Sequence, residues 1–460
     1  MLHPLRNGTL VLVLFLSLFT FHLSLFAAVP RVSLDSLNNG GYKQLKGQII
    51  ELTTPLIVCG TFYDSLILAP ERLFVPEEQA MGLSEGDSTR FYELKRRNQQ
   101  LRIKLECRYP YSLNLGATVK NLQARVIGQQ HLQTGKQPAF KNYKPSKRLP
   151  YLGAADIVVC AANVQNYFVH TGGYATKRTT AGQHAFQCYK TAAALLQLNA
   201  DLYALCELEQ GSAAPQELVN KMNELSRKDL YRYVVTDTID RDTISVGFLY
   251  RVDKIKPVGE VQFVYSDRSS IYAHRFLIQA FEQVDTHEQF IVSLNHPRSK
   301  RGNAAEANAK RVASIDSVLT AVQRLQTNGT YTDPDILFLG DYNSYRYEES
   351  TQMLVKAGYQ DMLSNGEYSY SYKGEAGSLD RVYASPSMAA QITAVKPVHW
   401  NTDFYYSAAY YSKYNYKNRS IPKDAPKDIR RVLTATAKRN LLFRYSDHDP
   451  VLVGLKLGGK

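Results

Sequence analysis

The chain has 460 residues, 44% hydrophobic and 21% charged, with a formal net charge of +13. Those proportions exclude a disordered or low-complexity chain and leave room for two to three domains. Five cysteines, sparse and odd in number, argue against a disulfide-built scaffold, and the absence of any CxxC or Cys/His cluster argues against a zinc site.

Arg6 precedes the apolar run Leu10 to Phe26, which leaves through Ala27-Ala28 before Val29-Pro30. A basic start, an apolar middle and a small-residue exit predict a secretory signal over 1–28 and an exported protein, extracellular or periplasmic. The alternative, an uncleaved anchor, has a run near the lower length limit for a span. Residues 29–128 carry short alternating runs such as Gln48-Ile-Ile-Glu-Leu, Ser65-Leu-Ile-Leu and Arg102-Ile-Lys-Leu-Glu, separated by turn residues. They predict a small all-β domain, barrel or sandwich. The pattern resembles the oligonucleotide/oligosaccharide-binding (OB) barrel that precedes the catalytic domain in some bacterial extracellular nucleases. Cys59 and Cys107 fall within it and could pair, whereas Cys160 and Cys206 sit in apolar runs as core residues. Residues 129–154 are polar, basic and proline-bearing, the composition of a linker.

From 155 to 460 strands alternate with helices. Strands are predicted at 156–163, 201–207, 231–235, 244–251, 276–283, 289–296, 336–340 and 450–457. Helices are predicted near 180–198, 215–226 and 303–326, the last with Val312, Ile315, Leu319, Val322 and Leu325 on one stripe. Such alternation over roughly 300 residues predicts an α/β (α+β) layered sandwich.

A polar residue of ligand or acid/base type stands just past one apolar run after another: Asn163, Glu207, Asn295-His296, Asp341-Tyr-Asn343, Asp380 and Asp447-His448. Singly these are caps, because carboxylates favour helix N-termini and Asn and Asp favour turns. Together they suit one chemistry. Glu207 and Asp447 are oxygen ligands for Mg²⁺, with Asn163 beside them. Asp341 is placed to orient and deprotonate a water, and Asn343 to hold it. His296 and His448 can hydrogen-bond a phosphate and exchange protons with the leaving oxygen. Asp380 would orient His448 and favour its imidazolium. With no Ser or Cys nucleophile in the set, direct attack by water is the expected route.

The motifs Ala162-Asn-Val-Gln-Asn-Tyr-Phe168, Asp201-Leu-Tyr-Ala-Leu-Cys-Glu207, Val246-Gly-Phe-Leu-Tyr-Arg251, Leu294-Asn-His-Pro297, Gly340-Asp-Tyr-Asn343, Gly377-Ser-Leu-Asp-Arg-Val-Tyr383 and Ser446-Asp-His-Asp-Pro-Val451 occur in that order. The set resembles the endonuclease/exonuclease/phosphatase superfamily, which includes deoxyribonuclease I, abasic-site endonucleases and neutral sphingomyelinases. The resemblance implies a four-layered α/β sandwich and hydrolysis of phosphoesters with a divalent metal: Mg²⁺, or alternatively Mn²⁺ or Ca²⁺. His296 after an asparagine is similar to deoxyribonuclease I and the extracellular bacterial nucleases. Where such secreted nucleases often read Glu-x-Glu-Asn, this chain has Glu207-Leu-Glu-Gln210.

The basic balance favours polyanionic partners: nucleic acid, anionic lipid headgroups or cell-surface polymers. Residues 404–431 interleave tyrosines with Lys and Arg, a composition suited to stacking on bases and pairing with phosphates. Arg275 and Asn295 are candidates to contact substrate. The expected activity is that of a nuclease acting on DNA or RNA. The alternatives are a sphingomyelinase-type phosphodiesterase, weakened by the lack of an apolar membrane-docking stretch, and a non-catalytic surface binding protein. No feature of the sequence indicates a protein partner.

Overall fold

The computed structural model describes residues 28–62, 64–80, 88–110, 113–169, 181–236, 244–264, 276–404 and 443–458. Residues 1–27 of the proposed signal (1–28), Arg275 and residues 405–431 of the tyrosine-rich stretch lie outside them. Two six-stranded sheets form the larger unit. The first runs Tyr231–Tyr233, Ile244–Arg251, Leu202–Glu209, Ile157–Tyr167, Val451–Leu455, Ile392–Pro397; the second runs Ile255–Phe263, Phe276–Gln283, Gln289–Asn295, Ile336–Asp341, Asp380–Ala384, Gln360–Asp361.

Their facing surfaces share one core, in which Val159, Leu202 and Phe248 meet Phe281, Val292 and Leu337. Each strand sends alternate residues the other way. Leu337 and Leu339 enter the core between the sheets, whereas Ile336 and Phe338 pack under the helices Ala304–Thr327 and Glu349–Lys356. On the opposite side Ala181–Leu198 and Ala213–Ser226 cover the first sheet through Leu195, Leu198, Leu218 and Met222. The order helix, sheet, sheet, helix gives the four expected layers. Strands buried on both faces read as continuous apolar runs, which is why 336–340 was legible as a strand.

The long helix starts where Asn303 accepts a hydrogen bond from the Glu306 N–H at 3.1 Å. Its buried stripe is Arg311, Ser314, Ile315, Val318, Val322 and Leu325, so Val312 and Leu319 sit to one side of the predicted face. Among the described residues, no helix is long and apolar enough to cross a membrane.

The N-terminal unit is an eight-stranded sheet whose order begins at Arg31–Val32 and ends at Thr118–Val119. It is not all-β. Helix Ser88–Leu101 buries only Phe91, Leu94 and Asn98, and its otherwise charged sequence hid it from the pattern of strands. His131–Gln133 joins the sheet in parallel with Ile103–Glu106, so pairing continues into the segment read as linker. The possible Cys59–Cys107 pairing is not made: all five cysteines are free and buried. The N-terminal unit also reaches across to the larger one, where Leu73–Phe74 pairs in parallel with Glu375–Gly377.

Candidate active site

Gly340 sets the site. It pairs with Asn295 on the neighbouring strand and has φ +129°. A Cβ there would stand 2.1 Å from the Asn295 carbonyl oxygen, so only glycine brings the two strand ends this close. Asp341 follows, only 2% exposed. Its Oδ1 accepts the Asn343 N–H at 2.8 Å, a turn that Asn343 closes with φ +48°. Its Oδ2 accepts Asn163 Nδ2 at 3.1 Å from the first sheet. Two imidazole nitrogens face the same oxygen, His296 Nε2 at 3.7 Å and His448 Nε2 at 3.9 Å. Asp341 is therefore the hub.

His448 is held from behind. Its Nδ1 lies 2.8 Å from Asp380 Oδ2, which also accepts the Ser369 hydroxyl at 2.6 Å. That bond leaves Nε2 directed at Asp341. Asp380 reaches this place because it pairs with Asp341 across antiparallel strands. Burial by itself would lower the His448 pKa. The Asp380 and Asp341 carboxylates reverse that and hold it well above the ordinary imidazole value. Burial pushes the Asp341 carboxyl up to about 7, with His448 opposing the rise and Asp380 and Glu207 adding to it.

Glu207 arrives by a bulge. The register between its strand and Ile244–Arg251 shifts between Cys206 and Leu208, and Glu207 takes φ +65°. An extra residue in one strand re-aims its side chain. Here it leaves the Glu207 Oε2 buried and without a hydrogen-bond partner among the described residues. One ligand atom each from Glu207, His296 and Asp341 lie within 4.8 Å of one another, as do atoms from Asp341, Asp380 and His448. A buried carboxylate oxygen lacking a donor costs energy unless a cation or water meets it. The donor set of Glu207 and Asp341, with the Asn163 amide alongside, suits a hard divalent cation that prefers oxygen.

Other expected residues are placed differently. The Asn343 amide donates to the Pro297 carbonyl at 3.1 Å, which ties the turn to the His296 loop. The Asn295 side chain is turned into the sheet. It is fully buried and donates to Ser293 O at 2.8 Å and to Tyr342 Oη at 3.2 Å, beneath the site. Asp447 is partly exposed and belongs to neither group of ion-ligating atoms found among the described residues, although its charge is felt at His448. Two neighbours escaped the sequence reading: Ser369, bonded to Asp380, and Tyr370, whose ring lies 4.6 Å from that of His448. Both sit at the start of the short strand Tyr370–Tyr372, in a polar stretch with no apolar run to mark them.

A family model described as Endonuclease/Exonuclease/phosphatase family matches residues 173–456. No curated protein matches the chain in sequence. Among solved structures, an endonuclease/exonuclease/phosphatase from Bacteroides vulgatus is similar at 12% identity and a TM-score of 0.42, over 65% of this chain and 98% of that one. The catalytic domain of human nocturnin, with bound sulfate, is similar at 11% identity and a TM-score of 0.42, over 65% and 94%. A mannosyl-6-phosphatase from Bacteroides thetaiotaomicron is similar at 17% identity and a TM-score of 0.41, over 65% and 100%.

Proposed function

The chain belongs to the endonuclease/exonuclease/phosphatase family, and on that premise we propose that it is an exported, divalent-metal-dependent phosphodiesterase whose substrate is nucleic acid. The observation that supports this best is the Asp341 carboxylate facing His296, His448 and Asn163 while Asp380 grips the far side of His448.

In this reading Asp341 is the base for the attacking water. Burial raises its carboxyl to about 7 in the metal-free fold, and a cation beside it would bring it down again, so that it stands as the carboxylate that accepts the proton of the water. Asn163 orients the carboxylate, and the Asn343 turn fixes its other oxygen. His448, kept protonated by Asp380, donates a hydrogen bond to a phosphate oxygen and delivers its Nε2 proton to the leaving oxygen. His296 binds a second phosphate oxygen. Glu207 and Asp341 would hold the cation, Mg²⁺ by preference with Mn²⁺ or Ca²⁺ as substitutes. When bound, the cation neutralises charge that develops on the phosphoryl group. The choice of nucleic acid over lipid rests on the +13 charge and on the tyrosines and cations of 404–431.

The test incubates purified protein with plasmid, RNA, sphingomyelin, a chromogenic phosphodiester and a chromogenic phosphomonoester, each with Mg²⁺ and with EDTA. Cleavage of plasmid or RNA that EDTA abolishes is the expected result. Cleavage of sphingomyelin or the monoester alone would overturn the nucleic-acid assignment. Export is checked by N-terminal sequencing of protein recovered outside the cytoplasm, with a start near Val29 expected.

A further inference from the structure

The N-terminal unit contributes more than a covering surface. Val75 N–H donates to Ala376 O at 2.9 Å, extending the Leu73–Phe74 pairing. The two backbones approach so closely that a Cβ on Gly60 would stand 3.0 Å from Gly374 Cα. The turn Pro76–Glu78 follows at once and carries the Glu78 carboxylate into the larger unit, where it is 8% exposed. Glu78 Oε1 accepts the Ser378 backbone N–H at 2.9 Å and Arg381 Nη1 at 3.2 Å. Arg381 is 0% exposed, and its Nη2 pairs with Asp361, which also meets Arg346 Nη1 at 3.2 Å.

Ser378 and Arg381 bracket Asp380. One carboxylate from another part of the chain therefore holds both flanks of the residue that orients His448. The Ser378 hydroxyl lies 2.7 Å from the Asp380 carbonyl oxygen and 3.2 Å from Ser369 Oγ. Ser369 Oγ accepts the Asp380 N–H at 3.1 Å and donates to Asp380 Oδ2, the oxygen bonded to His448. Through Ser378, two residues along the chain and two hydrogen bonds separate Glu78 from the imidazole; through Arg381, one residue and two hydrogen bonds. A buried ion pair is a poor source of net stability, since apolar residues of similar volume often serve as well. It fixes geometry, and the geometry it fixes here is that of Asp380.

We propose that Glu78 is a positioning residue for the Asp380–His448 pair, so that hydrolysis depends on the N-terminal unit being docked. The proposal rests on the hydrolase reading of the site. Glu78→Gln keeps an acceptor for Ser378 and removes the charge beside Arg381. Asn98→Ala is the control, because Asn98 donates to Phe74 O and Glu375 Oε1 at the same contact without touching 378–381.

Two readouts are taken well below the unfolding temperature of each full-length variant. One is kcat and KM with Mg²⁺ on the best substrate of the panel. The other is the proton resonance at His448 Nδ1 in metal-free, ¹⁵N-histidine-labelled protein, assigned by its loss in His448→Gln. Glu78→Gln should lower kcat by about 10- to 100-fold, the scale of small misplacements around a reacting centre. KM should stay within about twofold if binding groups are untouched, and the Nδ1 resonance should shift or broaden. Asn98→Ala should lower thermal stability and leave both readouts alone. If Glu78→Gln does not fold, Glu78→Asp carries the same measurements, because it withdraws the charge from Ser378 N–H. Wild-type kcat and an unmoved resonance in the Glu78 variant would overturn the proposal, as would an equal kcat loss in Asn98→Ala. If the wild type cleaves no phosphoester, the hydrolase reading has failed, and the resonance alone decides whether Glu78 positions His448.

Discussion

Replacing Asp341 by Asn should change how the stability of the metal-free protein depends on pH. Burial moves the Asp341 carboxyl from 3.8 to about 7 in the fold. About three pH units at about 1.4 kcal/mol each amount to roughly 4 kcal/mol. The folded state binds this proton more tightly than the unfolded chain does. Its contribution is therefore complete below the unfolded value of 3.8 and is lost as pH rises through about 7. His448 acts in the same sense, since its folded pKa is also raised. Its contribution fades as pH climbs from its unfolded value of 6.5 toward the folded one.

Asp341→Asn removes the first effect. It also weakens the second, because the Asp341 charge helps keep His448 protonated. The new side chain retains an oxygen for the Asn343 N–H but sets an NH₂ against the Asn163 amide, a cost of about 1 kcal/mol at any pH. In EDTA the variant should be slightly less stable than wild type at about pH 4, where the wild-type contribution is almost intact, and the two should cross at about pH 4.5. At pH 8 it should be more stable by up to about 3 kcal/mol, a rise of about 6 °C at roughly 2 °C per kcal/mol. Thermal unfolding followed by fluorescence from about pH 4 to 8 reads this directly. Parallel curves for the two proteins would refute the assignment of a buried, proton-retaining carboxyl at 341.

Gly340→Ala should cost about 3 kcal/mol or more, from the φ of +129° and the clash with Asn295 O, and thermal unfolding checks it. Glu207→Gln should abolish most of the thermal shift produced by Mg²⁺, while the metal-free protein is no less stable than wild type because a buried charge has gone. Asp380→Asn should lower kcat by about 10²- to 10⁴-fold. That loss should deepen as pH rises, since His448 loses the first carboxylate that holds its proton; pH–rate profiles of variant and wild type measure it.

The four layers and most of the site could be read from sequence because a doubly buried strand leaves a run of apolar residues that its functional residue visibly interrupts. Asp341 ends such a run, Asp380 stands at the start of one and His448 just before one. Which way a side chain turns is harder to read: Asn295 follows the same kind of run as Asn163, yet its amide closes on Ser293 and Tyr342 inside the sheet. Strand Ile255–Phe263 was missed because Pro257 and Gly259 break the pattern, which an edge strand tolerates. Glu78 was out of reach for another reason. Its partner Ser378 lies 300 positions away, and a lone acid in a Pro-Glu-Glu turn looks like any solvated surface charge.

The strand Val451–Leu455 is inserted between Ile157–Tyr167 and Ile392–Pro397 and runs antiparallel to both. Pairing across so long a sequence separation is slow and late, because the intervening chain must first be ordered. During folding the first sheet stays split until Val451–Leu455 is in place, and His448 has no fixed place before then. A partly folded chain therefore carries Asp341, Glu207 and His296 without His448 opposite them. The candidate site is thus completed only with the closing strand, the last in chain order among the described residues.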